Sequence, residues 1–89
     1  MPTFHLLIKG KVQGVFYRAT AKEVAKKLGI TGWIKNTNDG NVEALVTGTE
    51  LLMQNFIAWC RSGPKGAQVT DVIITEQPET EFENFTIDP

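Results

Sequence analysis

Ile30-Thr31-Gly32-Trp33-Ile34-Lys35-Asn36-Thr37-Asn38-Asp39-Gly40-Asn41-Val42-Glu43-Ala44-Leu45-Val46-Thr47 reads as two strands around a tight turn. Ile30 to Thr37 is a strand carrying Trp33 and Ile34, and Val42, Ala44 and Val46 alternate along the return strand from Val42 to Thr47. Asn38-Asp39-Gly40-Asn41 between them is a strong hairpin signal, because Asp-Gly accepts the positive φ angles of short turns.

Helical periodicity flanks this hairpin on both sides. Upstream, Ala21, Val24, Ala25 and Leu28 fall at i, i+3, i+4 and i+7 in a helix that begins near Tyr17. Lys26 and Lys27 suit the negative end of that helix, Glu23 precedes Lys27 by one turn, and Gly29 is the natural stop. Downstream, Thr49 is the candidate N-cap of a second helix with the stripe Met53, Phe56, Ile57 and Cys60, ended by Ser62-Gly63-Pro64. Further out, Phe4 to Lys9 is a strand with Phe4, Leu6 and Ile8 on one side, closed by Gly10. A fourth strand runs from about Ala67 to Glu76, the loop Gln77-Pro78-Glu79-Thr80 follows, and a short strand runs from about Phe82 to Ile87.

The order β-α-β-β-α-β plus a short last strand predicts an α+β fold, an α/β sandwich of the ferredoxin-like kind. Two helices lie on one face of a mostly antiparallel sheet. With no internal repeat or linker, residues 1–89 are expected to form a single domain. That fold hosts many unrelated activities, so the site must decide the function.

Composition narrows the choice. A net charge of −1 gives no basic field for a nucleic-acid backbone or an anionic membrane, so a bound anion must be held by a local arrangement. Cys60 is the only cysteine and His5 the only histidine, which excludes an intrachain disulfide and a structural zinc site. The start of the chain lacks a signal-peptide pattern, and no apolar run approaches the roughly 20 residues of a membrane span. A cytoplasmic, monomeric protein with no membrane or nucleic-acid partner is the expectation.

Gly10-Lys11-Val12-Gln13-Gly14-Val15-Phe16-Tyr17-Arg18 leaves the first strand, turns at a glycine and enters a helix. The first N–H groups of a helix have no internal partners, and its dipole adds partial positive charge. Gly14 lets the backbone approach a ligand, and Arg18 can fold a planar fork over the same anion. The alternative is ordinary, since such an arginine is usually solvated or paired with a carboxylate. The segment is neither a Gly-x-x-x-x-Gly-Lys-Ser/Thr loop nor a dinucleotide fingerprint, and Cys60 is followed directly by Arg61, which excludes a thiol-phosphatase loop.

Gly10 to Arg18 resembles the first signature of the acylphosphatase family, Gly-Arg/Lys-Val-Gln-Gly-Val-x-Phe/Tyr-Arg, and Gly32 to Gly40 is similar to the second, Gly-Trp/Tyr-Val/Ile-x-Asn leading to Asp-Gly. Ala67, Val69, Val72 and Phe85-x-Ile87 extend the likeness along the chain. The resemblance implies a phosphate-binding loop of Gln13, Gly14, Val15, Phe16, Tyr17 and Arg18, with the N–H groups of Gly14 to Arg18 around a phosphate. It implies that Arg18 and Asn36 are the catalytic residues, Asn36 orienting the attacking water, and that the substrate is a small acyl phosphate, with no cofactor and no metal. Many relatives end Phe-x-Ile-Arg, whereas this chain ends Phe85-Thr86-Ile87-Asp88-Pro89, which leaves open what the tail does for Arg18.

Neither motif contains a histidine, and no dedicated general base is evident. An acyl phosphate already has a good leaving group and needs mainly charge neutralisation and a placed water. His5, opposite in phase to Leu6 and Ile8, is expected on the uncovered side of the sheet, and Trp33 in sheet-face or core packing. Lys9, Lys11 and Lys35 either add to the field at the cleft or are simply solvated. The competing function is a phosphate- or carbamoyl-phosphate-binding module, such as the acylphosphatase-like domain of hydrogenase-maturation proteins, which normally belongs to a much longer chain. Nucleic-acid binding on the sheet would need an aromatic-rich strand motif that is absent.

Overall fold

The computed structural model describes all of residues 1–89. Seven elements follow in order: β1 (Thr3–Lys11), α1 (Tyr17–Leu28), β2 (Thr31–Asn36), β3 (Val42–Thr47), α2 (Glu50–Ser62), β4 (Gln68–Gln77) and β5 (Phe85–Ile87). The five strands form one sheet in the order β4-β1-β3-β2-β5, antiparallel except for β2 beside β5. This is the expected ferredoxin-like arrangement of two helices on a mixed sheet with a short additional strand.

Alternation fixes which face is buried. Leu6, Ile8, Ile34, Val42, Ala44 and Val46 point to the helices and are fully enclosed, meeting Ala21 and Ala25 of α1 and Met53, Phe56 and Cys60 of α2. The register keeps these in one layer, with Leu6 opposite Ala44 and Ile34 opposite Ala44 from the other side. Residues in the opposite phase lie on the uncovered face. There His5 Nε2 is 2.8 Å from Glu43 Oε2, and Lys35 Nζ is 3.5 Å from Glu43 Oε1 and 5.4 Å from the centre of the Trp33 ring. The His5 contact holds the Glu43 carboxyl below its ordinary range. Lys35 therefore serves the open sheet face and not a cleft on the helix side.

Strand β1 runs past Gly10, where the sequence pattern places its end. The register against β4 shifts between Lys9, opposite Asp71, and Gly10, opposite Val69, a bulge that skips Thr70 of β4 and lets pairing run on to Lys11. Gly10 has φ 127, and a Cβ there would lie 2.1 Å from the Gln68 carbonyl oxygen, so only glycine lets β4 come this close. The bulge matters because the loop that leaves β1 starts from it.

Thr49 caps α2 by accepting from the Leu52 N–H at 3.4 Å. Gly29 ends α1 in the left-handed region, with Lys26 and Lys27 in the last turn. A threonine cluster ties down the connection from β4 to β5. The hydroxyls of Thr3 and Thr47 are 2.7 Å apart, the Thr47 hydroxyl donates to the Thr80 carbonyl at 2.7 Å, and the Thr80 N–H donates to the Thr3 hydroxyl at 2.9 Å.

Candidate active site

Residues Val12 to Phe16 form the loop between β1 and α1, and α1 begins without an acidic residue or a side-chain cap. The Thr20 N–H, donating to the Phe16 carbonyl at 3.1 Å, makes the first bond of the helix, so the N–H groups of Tyr17, Arg18 and Ala19 have no helical acceptor. Those of Gly14, Val15 and Phe16 make none of the loop and cap backbone bonds either. Gly14 at φ 75 and Phe16 at φ 62 are both left-handed, with Val15 at negative φ between them. Alternation of this kind turns successive N–H groups toward one point, a concavity suited to an anion.

Phe16 is the one residue other than glycine with positive φ, and at ψ 25 it sits squarely in the left-handed region. For a bulky side chain that conformation costs on the order of 1–3 kcal/mol, and it persists only where the surroundings enforce it. Two contacts do so. The Tyr17 side chain turns inward, its hydroxyl donating to the Cys60 carbonyl at 2.7 Å and its ring lying 5.2 Å from that of Trp59. Burial pushes that hydroxyl above its ordinary titration range, so it stays neutral and serves as an anchor. On the other side, Gln13 Nε2 donates to the carbonyls of Thr37 and Asn41, at 2.9 and 2.8 Å. Gln13 thereby ties the loop to the β2–β3 hairpin, at whose base Asn36 stands.

The hairpin has its own closure. Thr37 and Asn41 exchange backbone and side-chain bonds, with the Thr37 N–H donating to the Asn41 carbonyl at 2.9 Å and the Asn41 N–H to the Thr37 hydroxyl at 3.0 Å. The Thr37 hydroxyl also donates to the Asp39 carboxylate, which lowers the Asp39 pKa from its ordinary value. Asp39 is a turn residue, and its carboxylate is occupied within the turn.

Loop and hairpin enclose a cleft of about 270 Å³ whose wall includes Gly14, Phe16, Arg18, Asn36 and Ile87. Arg18, the second residue of α1, is half-buried and makes no ion pair or side-chain hydrogen bond. A cation at the positive end of a helix dipole is unfavourable by itself, typically by about 0.3–1 kcal/mol, and becomes favourable when an anion sits between the two. Asn36 Oδ1 is buried without any hydrogen-bond partner, the sole side-chain atom of this kind. A buried acceptor left unpaired costs about 1–3 kcal/mol, the sort of expense retained where a ligand completes the bond.

The structure thus brings Arg18, Asn36 and the turn of Gly14 to one cleft, with the backbone of Val15 to Tyr17 around it and Gln13 behind it as a brace. Sequence reasoning missed the left-handed Phe16 and the arrival of Ile87. The first carries no local signal, since phenylalanine is not a residue that invites positive φ. The second depends on the pairing of β5 beside β2, where Ile87 lies opposite Ile34 and the Asp88 N–H donates to the Ile34 carbonyl at 2.8 Å. The tail therefore supplies an apolar wall, with Arg18 unpaired to Asp88. No three His, Cys, Asp or Glu side chains converge anywhere in the chain.

Comparison with known proteins matches this architecture. The acylphosphatase family model matches residues 4–87. An acylphosphatase of Marinobacter nauticus is 46% identical over 92% of this chain and 90% of its own length. One of Pyrobaculum arsenaticum is 46% identical over 100% of this chain and 96% of its own. The crystal structure of acylphosphatase from Bacillus subtilis, 34% identical, covers 100% of both chains with a TM-score of 0.96.

Proposed function

The chain belongs to the acylphosphatase family, and we propose that it hydrolyses acyl phosphates to a carboxylate and inorganic phosphate by attack of water at phosphorus. The observation that carries this reading is the meeting, in one cleft, of a donor-only anion cradle with an unpartnered carboxamide.

The N–H groups of Gly14 to Arg18 and the Arg18 guanidinium donate to the phosphoryl oxygens. Their positive charge is fixed before substrate arrives, so charge that spreads onto those oxygens in the transition state meets dipoles already in place. Arg18 contributes two parallel donors where lysine would offer one point charge. Asn36, held at the end of β2, binds the water through its carboxamide and sets it in line with the bond to the leaving carboxylate. As the water oxygen bonds to phosphorus, the P–O bond to the acyl group breaks and its electron pair departs with the carboxylate. A phosphoryl oxygen takes the proton, because no carboxylate or imidazole lines the cleft.

Every group in this scheme comes from one chain, which supports a monomer acting on a small molecule. The free thiol of Cys60 fits the reducing cytoplasm, and no helix is long and apolar enough to cross a membrane. The test is phosphate release from acetyl phosphate. Catalysed release supports a hydrolase, while phosphate binding with no turnover would make this a binding module.

A further inference from the structure

The cleft offers more than a phosphate can use. Two of the large apolar side chains left exposed by the fold, Phe16 at 82% and Ile87 at 38%, lie on its wall. Neither packs against the core. Phe16 reaches its position from a left-handed backbone that a phenylalanine adopts only under constraint. That conformation leaves the ring in solvent beside Arg18 while the neighbouring Tyr17 side chain is drawn into the interior. Ile87 arrives from β5, held there by pairing with Ile34.

Phosphoryl oxygens are anionic and take N–H donors; an exposed ring and a branched alkyl group give them nothing. The acyl half of the substrate is the part that such groups can shield from water. Strain kept at a site is a pointer to function, and here its visible product is an aromatic ring placed at the mouth of the cleft. We infer that Phe16 and Ile87 form the acyl subsite, and that the enzyme favours acyl phosphates with extended apolar acyl groups over acetyl phosphate. This rests on the hydrolase reading above.

The test compares kcat/KM for hexanoyl phosphate and acetyl phosphate. Their leaving carboxylates have nearly the same basicity, so the ratio isolates contacts to the chain. Covering a CH₂ group halfway strengthens binding about twofold, and four additional groups predict a ratio of roughly 15. Ile87→Ser should cut the ratio about threefold. Phe16→Asn keeps a residue that tolerates the left-handed region and should cut it by at least as much. Both substrates share the phosphate cradle, so a change in the cradle cancels in the ratio, and thermal unfolding verifies that each variant is folded. Turnover of acetyl phosphate with a wild-type ratio near one, or a ratio that neither variant moves, overturns the acyl subsite alone. Absence of turnover with both substrates overturns the hydrolase reading and the subsite with it.

Discussion

Asn36→Ala deletes a side chain whose Oδ1 is buried with no partner, so it should separate activity from stability. Its Oδ1 has no hydrogen bond within the protein to lose, so the substitution should cost little of the folded state. The net change should stay within about 1 kcal/mol of zero. For a domain of this size each kcal/mol moves Tm by about 4–8 °C, so Tm should stay within about 8 °C of wild type. Turnover should fall roughly 10²–10³-fold, as when one positioned catalytic hydrogen bond is lost. Inhibition by inorganic phosphate should stay within a few-fold, because Arg18 and the loop remain. Asn36→Asp should not restore turnover, since its carboxylate would face an anionic phosphoryl group. The assays are acetyl phosphate hydrolysis, phosphate inhibition and calorimetric unfolding. A fall in Tm matching the loss of activity would show that Asn36 only shapes the hairpin end. Unchanged turnover in a folded variant would refute the water-holding role.

Arg18→Ala should weaken phosphate inhibition and cut turnover together, and Arg18→Lys should rescue neither, because it keeps charge without the two-point fork; normal inhibition with near-normal turnover in Arg18→Ala would move the cradle elsewhere. Hydrolysis should be the same with and without a strong chelator, since the cleft presents N–H donors in place of metal ligands; activity lost on chelation and restored by a divalent ion would contradict the mechanism. Burial pushes the Cys60 thiol up to about 12, so it stays protonated and unreactive at neutral and mildly alkaline pH. Thiol reagents should label it only as fast as the protein unfolds, and rapid labelling of the native state would show that α2 opens locally.

What the sequence made legible was whatever a local period or a capping residue encodes. The stripes Ala21-Val24-Ala25-Leu28 and Met53-Phe56-Ile57-Cys60 are the inner faces of α1 and α2, and Thr49 is the cap its hydroxyl chemistry predicts. Strand β3 spans Val42–Thr47 because strict alternation bounded by a turn and Gly48 leaves little freedom. Strand ends were less legible where they depend on a partner strand. Gly10 reads as a stop, but pairing with β4 carries β1 through it on a bulge. At the site, Gly14, Arg18 and Asn36 were legible as residue types in long motifs. Their convergence relies on Gln13 reaching two carbonyls of the hairpin, 24 and 28 positions away, which no local pattern reports. The unpaired Oδ1 of Asn36 and the left-handed Phe16 are likewise properties of the assembled cleft.

The central claim is that water held by Asn36 attacks phosphorus while Arg18 and the loop hold the phosphoryl oxygens. Hydrolysis of acetyl phosphate in ¹⁸O-labelled water, with both products analysed by mass spectrometry, tests it in one measurement. The account predicts catalysed release with one labelled oxygen in the phosphate and none in the acetate. Label in the acetate would mean attack at the carbonyl carbon and would contradict it.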